Sequence, residues 1–140
     1  MRRDRYLQHL AAVPMFQALS KKDLTLVGRL AEDISVEPGE VLVREGRREG
    51  EFYLIVEGKA KVVRKGKTVA VLGPGDYFGE LALLDPGPRN ASVTAETPME
   101  LLLLGQREFS SLLEELPTFS RKLLVGLARR LHEYDQRPVR

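Results

Sequence analysis

FGELALLDPGPRNASV, residues 78–93, is the stretch on which the reading of this chain turns. One acid, Glu80, stands beside Gly79 and is followed by the apolar run Leu81-Ala82-Leu83-Leu84. A loop of Asp85, Pro86, Gly87 and Pro88 then leads to one base, Arg89. Leu81 to Leu84 are enough for one turn of helix, and Gly79 allows a tight bend and the close approach of another group. Amides from Glu80 to Ala82 would be first-turn donors without intrahelical partners, and such a helix start attracts an anion, commonly phosphate. Arg89, beyond a Pro/Gly loop that can fold back, offers a planar fork suited to two phosphate oxygens at once. Asn90 and Ser92 add small polar donors. The Glu80 carboxylate would repel the anion and fits better as an acceptor for a hydroxyl joined to it, as in a sugar phosphate. Val56, Val69 and Val71 could wall a flat base. A plainer reading uses the same residues. Glutamate is favourable in the first turn of a helix with no ligand at all, and Arg89 could pair with Glu80 or Asp85 at the surface for under about 1 kcal/mol.

The surrounding chain has 140 residues, which fits one domain and one core. Its 43% apolar and 30% charged residues are ordinary for a soluble globular protein. No apolar run approaches the ~20 residues that span a bilayer. MRRDRYLQHL is too charged for a signal peptide. There is no cysteine, so disulfides, thiolate chemistry and cysteine-bound zinc are excluded, and a cytoplasmic location is the default expectation. A net charge of +2 is too small to argue for nucleic acid. Arg121, Lys122, Arg129, Arg130, Arg137 and Arg140 nevertheless crowd the last twenty residues. They read as a solvated helix face or, more sharply, as a patch for nucleic acid or an acidic partner.

Residues 1–33 read as helical. Tyr6, Leu10 and Val13 suggest a short helix ended near Pro14. Ser20 resembles an N-cap ahead of Leu24, Val27 and Ala31 at helical spacing. From 34 to 105 the texture is β. Strands are expected near 34–36, 41–44, 52–57, 59–65, 68–72, 91–95 and 99–104, with turns at Gly and Pro between them. Phe52-Tyr53-Leu54-Ile55-Val56 is apolar on both faces and predicts a central strand covered on both sides. From 106 to 135 the period is helical again. Phe109, Leu112, Leu113 and Leu116 fall at i, i+3, i+4 and i+7, Pro117 suits the start of the next helix, and 118–135 carries Phe119, Leu123, Leu124, Leu127, Leu131 and Tyr134. Leu124, Leu127, Leu131 and Tyr134 are spaced 3, 4, 3, which suits either packing on the chain's own core or a homodimer seam. The layout is mainly β within an α+β class: a sandwich or barrel flanked by N-terminal helices and two C-terminal helices.

Catalysis finds little support. The only histidines, His9 and His132, lie in helical terminal regions, which leaves no metal set on neighbouring strands and no base for a Ser-His-Asp arrangement. Neither a phosphate loop nor a dinucleotide fingerprint is present. Asn90-Ala91-Ser92 matches a glycosylation sequon, with no export signal to put it to use.

Phe78-Gly79-Glu80-Leu81-Ala82-Leu83-Leu84 followed by Pro88-Arg89-Asn90-Ala91-Ser92-Val93 resembles the phosphate-binding cassette of the cyclic nucleotide-binding domain family, F-G-E-[LI]-A-L, a loop, then R-x-A-[ST]-V. Val36 to Leu42, Glu45-Gly46, Phe52 to Gly58 and Gly75-Asp76 resemble the family's β-roll, so the likeness covers nearly the whole chain as a single domain. It implies an antiparallel double-stranded β-helix of the jelly-roll type, with the cassette at 78–93. It implies that Arg89 holds a cyclic phosphate and that Glu80 accepts from the ribose 2′-hydroxyl. The amides at Leu81 and Ala82, with Ser92, would complete the anion site, and Phe78, Gly79, Asn90 and Ala91 belong to the same cassette. The last helix would cap the base from the face around Leu124, Leu127 and Leu131, or through Arg129 or Arg130. Asn90 departs from the family's Ala or Thr at that position. cAMP is the favoured ligand and cGMP the alternative, without a metal. A non-catalytic sensor that repositions its last helix and signals to an effector protein or domain is the resulting expectation. Its competitors are a nucleotide-independent dimerisation scaffold and a nucleic-acid-interaction fragment of a longer regulator. Without a helix-turn-helix after the last helix, nucleic acid is not expected as this chain's partner.

Overall fold

The run Met99-Glu100-Leu101-Leu102-Leu103-Leu104 divides its leucines between two cores, and that division organises the molecule. In a computed structural model, which describes residues 8, 10–11, 16–47, 50–79 and 89–135, this run is the last of eight strands. The strands are β1 (Glu32–Val36), β2 (Val41–Val43), β3 (Glu51–Glu57), β4 (Ala60–Arg64), β5 (Lys67–Leu72), β6 (Tyr77–Phe78), β7 (Ser92–Ala95) and β8 (Met99–Gly105). Helix α1 (Lys21–Leu30) precedes them, and α2 (Gln106–Glu115) and α3 (Pro117–Asp135) follow. Side chains at Arg130, Leu131, Glu133, Tyr134 and Asp135 of α3 lie outside the described residues, as do Tyr6, Val13 and Pro14 of the expected first helix. Residues 8, 10 and 11 are helical, and Leu10 is fully buried.

Two antiparallel sheets form, in the orders β1-β8-β3-β6 and β2-β7-β4-β5. A strand's side chains alternate between faces, so Leu101 enters the cluster between the sheets, with Leu103 packed against it, while Leu102 and Leu104 enter a second cluster beneath the helices. β3 divides in the same way. Tyr53 and Ile55 meet Val43, Ala60, Val93 and Ala95 across the sandwich, whereas Phe52 and Leu54 meet Phe109, Phe119, Leu112 and Leu123. The prediction of a strand covered on both sides is borne out, and the two-sheet, mainly β architecture with flanking helices is the one expected. The ring of Phe52 lies 5.0 Å from Phe109 and 6.4 Å from Phe119, the latter edge-on, a favoured aromatic arrangement.

Local signals place the elements. The Ser20 hydroxyl accepts from the Asp23 amide at 3.1 Å and caps α1 as the sequence suggests. Pro117 opens α3, where its missing N–H costs nothing, and the Ser120 hydroxyl ties α3 to the Leu113 carbonyl of α2 at 2.6 Å. β6 is an addition to the expected strands. Two residues are too short to show alternation, and Tyr77 and Phe78 pair with Leu54 and Tyr53.

Candidate functional site

Gly79 follows β6 with φ +97°, a conformation that a side chain strains. A Cβ there would lie 2.4 Å from the Glu51 carbonyl oxygen and 2.9 Å from Nη1 of Arg89. The guanidinium occupies the space that the missing side chain leaves. Nη1 donates to the Gly79 carbonyl at 3.1 Å, and Nη2 donates to the Glu51 carbonyl at 2.8 Å. Arg89 is only 6% exposed, and it is the one charged residue in the buried set of the described residues. Its Nε is buried with no hydrogen-bond partner among them, and so is Oε2 of Glu51.

A buried guanidinium is costly unless charge and hydrogen bonds compensate it. Two neutral carbonyls satisfy two of its five N–H groups and leave the positive charge uncancelled among the described residues. An anion arriving here would meet a preformed, desolvated donor. Arg89 is buried rather than at the surface, where the plainer reading set its ion pair; Glu80 and Asp85, the acids of that reading, lie outside the described residues.

The chain on either side of Arg89 is anchored. Its amide donates to the Arg47 carbonyl and its carbonyl accepts from the Gly46 amide, each at 2.8 Å. Arg64 Nε donates to the Asn90 carbonyl at 3.1 Å. Ser92 Oγ accepts from the Glu45 amide at 2.9 Å. The turn at 45–47 therefore clamps the end of the cassette and fixes the direction of the Arg89 side chain. Upstream, Phe78 is buried and stacks on Tyr53 at 4.8 Å with an interplanar angle of 10°, while the Tyr53 hydroxyl donates to the Leu42 carbonyl.

The structure thus brings together Phe78, Gly79, Arg89, Asn90 and Ala91, with Ala91 buried and Asn90 exposed. Glu80, Leu81 and Ala82 lie outside the described residues. Three further expectations are amended by strand pairing. Ser92 stands opposite Val63, and its neighbour Val93 points into the inter-sheet core, so the Ser92 hydroxyl faces outward to the Glu45 amide and is a clamp residue. Val71 pairs with Lys61 in an outward row, and Val69 sits at a register shift; they are 55% and 53% exposed. Val56 packs on the helix-side cluster. The positions packed inward on β4 and β5 are instead Ala60, Val62 and Leu72, with Ala60 paired to Leu72; Ala70, paired to Val62, is exposed. Glu51, whose carbonyl receives Arg89, carried no sequence signal, because a main-chain acceptor leaves no trace in residue type.

Tyr77, two residues before Gly79, reaches the other way. Its ring packs 5.7 Å from Phe52, and its hydroxyl abuts Gly126 of α3, where a Cβ would come within 2.1 Å of the oxygen. β6 therefore touches the last helix on one side and leads into the Arg89 site on the other. Gly126→Ala is expected to destabilise the chain by about 1–3 kcal/mol through overpacking, and Tyr77→Phe in the same chain should recover part of that loss. Denaturant unfolding of both single variants and the double variant checks the coupling; strictly additive losses would mean that the two do not meet.

Two facing antiparallel sheets with flanking helices, and a buried arginine set against a glycine of positive φ, define a β-roll domain. The family model for the cyclic nucleotide-binding domain matches residues 33–116, and the chain belongs to that family. A cAMP-dependent protein kinase regulatory subunit of Yarrowia lipolytica is 40% identical over 114 residues, covering 80% of this chain and 30% of the relative. Among solved structures, the Thermus thermophilus catabolite activator protein superposes with a TM-score of 0.80 at 35% identity, over 87% of this chain and 60% of that one. The regulatory subunit of a cAMP-independent protein kinase A from Trypanosoma brucei superposes at 0.81 with 28% identity, over 96% and 49%. The chain therefore spans between 30% and 60% of the length of these relatives.

Proposed function

We propose that this chain is a non-catalytic sensor that binds a cyclic nucleotide, cAMP before cGMP, and passes binding on to helix α3. The buried Arg89 with its unpartnered Nε carries this reading. Arg89 holds the cyclic phosphate through Nε and the N–H groups its two carbonyl partners leave over. In this reading the amides at Leu81 and Ala82 and the side chain of Asn90 would contribute to the same anion site, and Glu80 would accept from the ribose 2′-hydroxyl. Val62, Ala70 and Leu72 wall the base in place of Val69 and Val71. Preference for cAMP leans on the name of the yeast relative and on the absence of a Thr at position 90; the trypanosomal relative is described as cAMP-independent, so the fold alone does not select the nucleotide. A switch also requires that the ligand favour one position of α3 over another. The Tyr77–Gly126 contact supplies a route: a displaced β6 moves the tyrosine against the helix.

No helix among the described residues is long and apolar enough to cross a membrane, and we place the chain in the cytoplasm, where an effector protein or domain would read the position of α3. The test is a calorimetric titration of the full chain with cAMP and with cGMP, after stripping any co-purified nucleotide. Micromolar or tighter binding of cAMP is expected. No heat with either nucleotide from a folded protein would overturn the reading.

A homodimer through α3 is favoured by one observation: Leu124 and Val125 are 65% and 40% exposed, while Leu127 of the expected seam packs on the helix-side cluster. Light scattering should find a dimer that Leu124→Lys dissociates. A monomer before substitution would leave those residues as ordinary surface.

A further inference from the structure

The free edge and outward row of the β4–β5 hairpin are distinct from the residues proposed to wall the base, and they have a character of their own. Between Gly58 and Gly75 the sequence places Lys59, Lys61, Arg64, Lys65 and Lys67, and no acid. Four of these are exposed and Lys61 is partly so. β5 ends its sheet, so one side of its main chain has no strand partner among the described strands. Lys67 through Val71 are exposed without interruption. The outward row of the sheet runs Val71, Lys61, Thr94, Val41, which sets a cation among apolar side chains.

The tip adds a second, independent sign. Lys65 and Gly66 form a two-residue turn between paired Arg64 and Lys67, with φ of 51° and 78°. Positive φ at both central positions is the type I′ geometry, which favours Asn, Asp or Gly. Lys65 is the only described non-glycine residue with positive φ. The Lys65 amide donates to Glu45 Oε1 at 3.0 Å, which holds the turn in this conformation and leaves the Lys65 side chain exposed at the tip.

An open edge rich in lysine resists a second copy of itself, because like charges would meet. It does not resist an acidic strand. We propose that the β4–β5 hairpin docks an acidic, extended protein segment, which adds as a fifth strand to the open edge of β5 and sets its carboxylates against Lys61, Lys65 and Lys67. Main-chain bonds along β5 supply affinity, and the exposed valines with the flanking lysines supply selection.

The probe is a short fluorescent peptide alternating glutamate with valine, mixed with the full chain. Fluorescence anisotropy should show binding, and hydrogen exchange should slow at amides within 67–72. Reversing the charges in K61E/K65E/K67E should weaken binding at least about tenfold. The same peptide N-methylated at alternate amides keeps its charge and cannot pair, so its binding should be lost; this arm uses the unaltered chain and stands even if the triple variant does not fold. Lys65→Asn should raise the melting temperature by a few degrees while weakening the peptide. Equal affinity for the N-methylated peptide, unchanged exchange in β5, or no binding at all would overturn the proposal. So would tighter binding, at the same salt, of random duplex DNA or of phosphatidylserine vesicles.

Discussion

Arg89→Ala is expected to weaken cAMP binding by about a hundredfold. Two charge-assisted bonds to a phosphate, at about 1.5 kcal/mol each, amount to about 3 kcal/mol, and each 1.4 kcal/mol is about tenfold in affinity. Arg89→Lys should fall between, losing about tenfold, because an ammonium keeps the charge but cannot serve the Gly79 and Glu51 carbonyls and a phosphate from one rigid fork. Stability should move much less than affinity. Alanine strands two carbonyl acceptors, a cost of about 1–3 kcal/mol each where they stay dry, and it also removes a charge that was expensive to bury. These oppose one another, so the variant should fold with a modestly lowered melting temperature. Titration and a thermal melt on the same preparation separate the two effects. Undiminished cAMP binding by a folded Arg89→Ala chain would remove the arginine from the site.

The second large effect belongs to Gly79, and Gly58 provides its matched control. Both have positive φ, +97° and +93°, and at both a Cβ would lie 2.4 Å from a backbone carbonyl oxygen, that of Glu51 in one case and Pro98 in the other. Alanine at either position should cost roughly 2–4 kcal/mol, from a left-handed conformation and from overpacking, or roughly 10 °C of melting temperature. Only the Gly79 substitution also strikes a functional group, since Nη1 of Arg89 lies 2.9 Å from the new carbon. Gly79→Ala should therefore lose cAMP affinity by tenfold or more while Gly58→Ala keeps it. Equal losses of affinity would mean that Gly79 acts only through general loosening of the fold.

Particular residues show what could be read in advance. Phe52 to Val56 announced a strand buried on both faces because both alternating sets are apolar, and Phe109 to Leu116 announced a helix because their spacing has a single solution. The bend at Gly79 was legible because positive φ is a rare demand that few residue types meet. Val71 was misplaced for a different reason. Valine suits either face of a strand, and only its register against Lys61 reveals which one it takes. The bond that Ser92 accepts from the Glu45 amide was not foreseen, because a hydroxyl serves a loop amide as readily as a phosphate and Glu45 lies far away in sequence. The partners of Arg89 are main-chain carbonyls, which composition and motif cannot disclose.

The division of β8 between two cores also bears on how the chain is made. β1 waits for β8, its Glu32 paired with Leu103, and β3 waits for the same strand, its Phe52 paired with Leu104. On a ribosome the strand that completes the first sheet emerges after every other strand, and the helices that cover its far face come later still. Until then Phe52 and Leu54 have no cover. Closing loops of this length is slow compared with forming helices or hairpins, so the nascent chain spends its longest interval with its most apolar strand unprotected. The Arg89 site needs Glu51, Gly79 and the arginine brought in from three separate stretches. Its acquisition during synthesis is therefore a late event, and the nucleotide binding proposed for it would mark a chain that has finished folding.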